Sequence, residues 1–266
     1  MEAFRSLFGV AKPIIAMAHL PPLPGSPLYD RQGGMRAIVD AVAADLEALQ
    51  GGGVDAVMFG NEGDRPYLTR AAPESLAAMA AVVAELRGRV TVPFGVDYLW
   101  DPPASIALAH ATGASFVREV FTGVYDSDMG LWEPDAAAAL RLKAALDARA
   151  LLFYNINAEF AAPLGERSLA AKARSAVFAS LADAVCVSGP MTGESVGLAQ
   201  LDEVKEALPD VPVIANTGVR LENVTDILAV ADAAIVGTSL KVGGVTWNPV
   251  DRERVQRLME RVTTLR

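Results

Sequence analysis

Eight short apolar runs recur along the chain, and each is followed by a longer stretch with helical periodicity. The runs are PIIAMAHL (13–20), DAVMFGN (55–61), VPFGVDYL (92–99), SFVREVF (115–121), ALLFYNI (150–156), ADAVCVSG (182–189), VPVIANTG (211–218) and AAIVGTSL (233–240). Most are continuously apolar, the mark of strands covered on both faces. The intervening stretches predict helices over 35–50, 73–87, 101–113, 134–147, 168–180, 198–208, 222–230 and 250–264. In the first of these, Ile38, Val42, Leu46 and Leu49 form one stripe. Asp101, with Pro102 after it, reads as a helix N-cap. Strand then helix, eight times over, closes into a (β/α)8 barrel of parallel strands, and 266 residues is an ordinary length for one such domain spanning 1–266. The competing fold is an open doubly wound sheet, disfavoured because no G-x-G-x-x-G follows the first strand.

Composition narrows the job. Hydrophobic residues make up 52% of the chain and charged residues 21%, so a large core is available. A formal net charge of -9 argues against nucleic-acid binding while leaving room for a local anion pocket. The lone cysteine, Cys186, excludes an internal disulfide and suits a reducing, cytoplasmic setting. No apolar stretch is long enough to span a membrane, so membrane insertion is not expected. The apolar content is compatible with a homo-oligomer.

In a barrel, function gathers at the C-terminal ends of the strands and in the loops that follow. The last two ends read IANTGVR and VGTSLK. Backbone N–H groups approach an anion closely only where side chains are small, and hydroxyls add donors. Gly218, Val219, Gly237, Thr238 and Ser239 are therefore expected to hold a phosphate, on a sugar-like substrate; tight turns are the plain alternative. Lys241 just beyond is expected to supply charge there.

His19 closes the first run and suits a general acid or base, a metal ligand, or an anchor for the proline-rich loop 21–34, itself a candidate lid. The second run ends in Asn61 and Glu62, with Asp64 and Arg65 following. Glu62 is an acid/base candidate or a partner of Arg65, and Asn61 a substrate contact. Asp97 interrupts an apolar run, which is costly unless the carboxylate is paired or used. Arg118 and Glu119 point to opposite faces of the fourth run, and either one facing the lumen is compatible with the pattern. Inward Arg118 suits an anion and inward Glu119 suits proton transfer. Asn155 and Asn157 share a face and suit sugar hydroxyls or the orienting of a carboxylate; Ser188 and Asn216 are further substrate-binding candidates. No cofactor motif is evident; Asp97, Glu119 and Glu62 are the oxygen donors on which a Mg²⁺ ion would rest.

AMAHLPPLPGSPLY, FGNEGDRPY, FYNINAEFAAPLG, VSGPMTGE and IANTGVR…VGTSLKVGG…NPVD together resemble the BtpA/SgcQ family over nearly the whole chain. The resemblance implies a TIM barrel related, at its phosphate region, to ribulose-phosphate-binding barrels. It carries two functional labels: a factor for photosystem I biogenesis, and an enzyme of sugar metabolism. No reaction follows from those labels; the strand-end residues set the expected function, an enzyme of isomerase, lyase or glycosyl-transfer type on a phosphorylated sugar or related small anion. The alternative is a non-catalytic assembly factor for a membrane complex.

Overall fold

The computed structural model describes residues 1–266. Eight parallel strands form a closed barrel: β1 (Ile14–His19), β2 (Ala56–Gly60), β3 (Phe94–Asp97), β4 (Phe116–Glu119), β7 (Leu151–Asn155), β9 (Ala184–Ser188), β10 (Val213–Asn216) and β11 (Ala233–Val236), in that order around the ring. Closure comes from β11 pairing back onto β1, with Ile14 opposite Ala234 and Ala16 opposite Val236. The eight expected strands are these eight. The open-sheet alternative fails because no edge remains.

Helices α2 (Gly34–Gly51), α3 (Pro73–Leu86), α4 (Pro102–Thr112), α5 (Ala136–Ala145), α6 (Leu169–Ser180), α7 (Leu198–Ala207), α8 (Val224–Val230) and α9 (Arg252–Thr263) surround the barrel. The stripe Ile38, Val42, Leu46 and Leu49 is buried against it, as is Val255, Leu258 and Val262 of α9. Asp101 caps α4 by accepting from the Ala104 N–H at 3.0 Å. No helix is long and apolar enough to cross a membrane.

Strand alternation divides the side chains. Val57, Phe59, Val96, Val117, Leu152 and Val185 join the helix layer. Ile15, Met17, Met58, Phe116, Phe153, Cys186, Ile214 and Ile235 fill the lumen. A short helix absent from the sequence reading, α1 (Glu2–Phe8), closes the lumen's lower end by inserting Phe4 and Phe8. Phe8 packs on Phe116 with centroids 5.8 Å apart, and Phe4 on Phe153 at 5.6 Å.

A second unforeseen element lies at the upper end. Strands β5 (Tyr125–Ser127), β6 (Gly130–Trp132) and β8 (Ala161–Pro163) form a small antiparallel sheet from the loops after β4 and β7. An aromatic cluster holds it down, with Trp100 edge-on to Trp132 at 4.8 Å.

Candidate active site at the barrel mouth

The register that buries Phe116 in the lumen also turns Arg118, two residues on, inward. Arg118 Nη2 lies 2.7 Å from Asp97 Oδ2 at the end of β3. Both side chains are buried. Burial opposes the guanidinium's charge, but Asp97, Glu159 and Glu62 around it hold it firmly cationic. Asp97 is pushed up to about 7, first by burial, with Arg118 pulling the other way.

Glu119 takes the opposite face. Its carboxyl accepts from the backbone N–H of Trp100 and of Val120, both at 2.6 Å. It pins the loop after β3 to the end of β4. Burial and nearby Asp97 raise its pKa well above the ordinary carboxyl range. Of the two open orientations, the inward residue is Arg118.

His19 and Glu62 meet over the centre of the mouth, with Nε2 and Oε1 3.5 Å apart. Two small residues make that room. A side-chain carbon on Gly60 would fall 2.5 Å from Glu62 Oε2, and one on Gly237 would fall 3.1 Å from the His19 ring. Burial, with Lys241 next, drives His19 down to about 3, so the imidazole is neutral. Burial raises Glu62 to about 7 although Arg118 works against it. The contact is thus a neutral imidazole beside a carboxyl that titrates at neutrality, not an ion pair. His19 Nδ1 and Glu62 Oε2 are buried without a partner. Arg65 is not Glu62's partner: it stacks over Trp247 at 3.6 Å.

These groups line one side of a cavity of about 240 Å³. The other side is built by Gly218, Val219, Gly237, Thr238 and Ser239. Gly218 has φ +64, and a side chain there would strike the Glu194–Ser195 backbone at 2.2–2.3 Å, so its small size serves loop packing. No protein acceptor serves the N–H groups of Gly218, Val219 or Gly237. The Ser239 hydroxyl donates to the Val219 carbonyl at 2.7 Å and ties the two loops together. Thr238 Oγ1 meets Thr246 Oγ1 at 2.9 Å.

The remaining candidates divide. Asn216 donates to Ser188 Oγ at 2.8 Å, and more loosely to Glu159 Oε1 at 3.3 Å and Asn155 Oδ1 at 3.4 Å. Of this cluster only Asn216 lines the main cavity; Asn155 borders the smaller space beside it, and Ser188 borders neither. Asn157 does not join it: its amide clamps the backbone N–H and carbonyl of Ser188. Asn61 is likewise occupied, accepting from the Leu99 N–H at 2.8 Å and donating to Asp64 at 3.3 Å. Asn61, Asn157, Asp97 and Glu119 lie outside the lining of the main cavity. Lys241 turns away from it altogether, buried in an ion pair with Asp45 of α2 at 2.6 Å. The expected charge at the anion loops comes instead from Arg220 and Arg254, which line the cavity. Loop 21–34 contributes nothing to the cavity lining. It packs on the loop after β2, where the Leu23 N–H donates to Asp64 at 2.7 Å. No group of three or more His, Cys, Asp or Glu side chains is gathered to hold a metal ion.

Glu159 was missed by the sequence reading. It is buried, accepts from Thr192 Oγ1 at 3.0 Å, and lines the cavity opposite His19. Burial raises its pKa, with Arg118 opposing. The signal was the acidic residue in NINAEF, just past a strand end.

Fold and mouth together define a (β/α)8 barrel with a buried, charged upper end. Thiamine phosphate pyrophosphorylase from Pyrococcus furiosus is similar in fold, with a TM-score of 0.58, 15% identity and 96% of each chain covered. So is phosphoribosyl anthranilate isomerase from Thermus thermophilus, at 0.55 and 17%, covering 96% of this chain and 100% of that one. The chain belongs to the BtpA family, whose model matches residues 10–264. It is 46% identical over 267 residues to the sgc region protein SgcQ of Escherichia coli, covering 100% of both. It is 31% identical over 263 residues to the photosystem I biogenesis protein BtpA of Synechocystis, covering 98% of this chain and 91% of that protein.

Proposed function

We propose that this protein is an enzyme acting on a phosphorylated sugar or related small anion, with the phosphate held after β10 and β11. One observation carries the reading: a single cavity joins three backbone N–H groups without protein acceptors to a buried His19–Glu62 pair. Oriented amides and the Arg220 and Arg254 side chains suit an anion. Buried groups with displaced pKa values, gathered in a cleft, mark chemistry more often than structure.

The roles follow from the charges. A carboxyl that titrates near 7 both gives and takes a proton at neutral pH, so Glu62 is the acid/base. Neutral His19, 3.5 Å from it, supplies a hydrogen bond to a substrate oxygen. Arg118, fixed by Asp97, faces charge that develops on that oxygen. Proton transfer beside a carbonyl or at an anomeric carbon fits this set, which covers isomerisation, aldol-type cleavage and glycosyl transfer. The two solved barrels above, whose names carry phosphate or phosphoribosyl compounds, support the class and no more.

The test is calorimetric titration with inorganic phosphate and with sugar monophosphates, on the native chain and on Thr238→Asp. The variant places a carboxylate at the anion loops while sparing Gly237, where a side chain would press on His19. Saturable binding that Thr238→Asp abolishes at an unchanged melting temperature is expected. Equal affinity in the folded variant overturns the site. A second reading, a non-catalytic assembly factor, is favoured by the Synechocystis relative's name and by Phe178, 90% exposed near the end of α6 beside Leu181 at 64%. A folded protein that binds no anion moves the conclusion there.

A further inference from the structure

Next to the main cavity lies a smaller chamber of about 40 Å³. Glu62, Arg118, Glu159 and Thr192 line both spaces and form the boundary between them. Beyond that boundary the walls change character. Tyr67, Trp100 and Phe160 supply flat apolar faces, with Tyr67 6.4 Å from each of the other two rings. The small sheet β5–β6–β8 holds Trp100 in place through Trp132.

Two donors on these walls are unspent. The Trp100 indole N–H and the Arg118 Nε–H are buried with no acceptor in the protein. Trp100 is 5% exposed and Arg118 8%. A buried donor left unpaired costs about 1–3 kcal/mol, so such a pair is retained where something else accepts from it. The same walls are poor in positive charge. Glu62, Glu119 and Glu159 border the chamber, and its one cation, Arg118, is already paired with Asp97.

We infer that this chamber receives the end of the substrate remote from the phosphate, and that this end is an uncharged, oxygen-bearing head: the carbonyl or hydroxyl end of a sugar monophosphate, stacked on the aromatic faces. This rests on the phosphate reading above and adds what that reading lacks, a rule for the other end of the substrate. Trp100 and Arg118 donate to the head oxygen, and Glu62 stands beside it with its free Oε2. A head carrying a second phosphate or a carboxylate finds no free cation there to offset the cost of burying its charge, and is rejected. Selectivity built on buried polar partners is steep because the wrong ligand leaves them unpaired.

The experiment is a titration of four probes: inorganic phosphate, ribose 5-phosphate, 6-phosphogluconate and fructose 1,6-bisphosphate. It is run on the native chain, on Trp100→Phe, which keeps a ring and removes the N–H, and on Phe160→Leu, which removes a flat face. Ribose 5-phosphate is expected to bind at least tenfold more tightly than the other three. Trp100→Phe should weaken it about fivefold, the size of one neutral hydrogen bond, and leave inorganic phosphate unchanged. Phe160→Leu should do the same in smaller measure, and it carries the test alone if Trp100→Phe does not fold. Phosphate binding that persists while both variants hold ribose 5-phosphate as tightly as the native chain overturns the chamber assignment alone. So does equal affinity for the acid-headed or bisphosphate probe. Absence of binding by all four probes overturns the phosphate reading, and this inference with it.

Discussion

The lower and upper halves of the barrel lumen are lined by the same strands, yet they obey different rules. Below, Ile15, Phe116, Phe153, Ile214 and Ile235 pack with Phe4 and Phe8, and nothing polar is buried among them. Two residues past Phe116, Phe153 and Ile214 stand Arg118, Asn155 and Asn216; His19 ends β1 two residues past Met17, and Asp97 at the end of β3 and Glu62 just past β2 complete the layer. The upper set leaves His19 Nδ1, Glu62 Oε2, Trp100 Nε1 and Arg118 Nε without partners. A core optimised only for stability does not carry such a cluster, because each unsatisfied buried polar atom works against folding. Packing is completed below, and the mouth carries the unpartnered polar atoms that packing alone would not keep.

The sharpest way to break this comparison is to exchange the expected costs. Phe153→Ala removes a ring stacked on Phe116 at 5.0 Å in a fully packed space. It should cost about 3–5 kcal/mol in chemical denaturation, as large-to-small core changes do. A loss under about 1 kcal/mol would show the lower lumen to be loosely packed and the division false.

Much of the lower half was legible in the sequence. Strands buried on both faces are continuous apolar runs, and eight of them leave few alternatives to a barrel. The short arms β5, β6 and β8 were not legible, since three-residue strands show no periodicity and are anchored by the Trp100–Tyr125–Trp132 cluster, which assembles from distant segments. Helix α1 was not foreseen: Phe4 and Phe8 stand one helical turn apart, but seven residues are too short for a clear period, and nothing local said that their destination was the lumen. At the mouth, the identities of His19, Glu62, Asp97 and Arg118 stood out as polar residues at strand ends. Their directions did not. Alternation offered Arg118 and Glu119 as equals, and only the register of Phe116 decides. Lys241 was misplaced for a related reason: its partner Asp45 lies 196 residues away in sequence, so the pair exists only after closure.

The pH dependence of stability sharpens the comparison at intermediate cost. Glu62 titrates near 7 in the folded chain and near its ordinary 4.5 when unfolded. Its raised value means the folded state binds the extra proton, so stability is lost as pH rises from about 4.5 to 7. His19 is the reverse, about 3 folded against 6.5 unfolded, so its contribution is lost as pH falls from about 6.5 to 3. Between about 4.5 and 6.5 the two slopes oppose each other, at about 1.4 kcal/mol per pH unit each. Glu62→Gln should remove the loss on the alkaline side and leave the protein more stable than the native chain at pH 8, by up to about 3 kcal/mol. Melting temperatures across pH 4–8 check this. A variant less stable than the native chain at pH 8 would place Glu62 among the groups that hold the fold together.

The smallest expected effect lies on the boundary between the halves. Cys186 faces the lumen two residues below Ser188, fully buried, and burial pushes its thiol up to about 12. Thiolate is the reactive form, so at pH 7.5 the native chain should resist iodoacetamide while the denatured chain reacts freely. Cys186→Ala should cost only about 1 kcal/mol, the loss of one small buried group. Labelling that proceeds in the native state, at a rate rising as mouth ligands are removed, would mean that water and reagents pass the polar layer. The lower lumen would then be an extension of the site, and the boundary drawn at Ser188 and Asn216 would have to move down the strands.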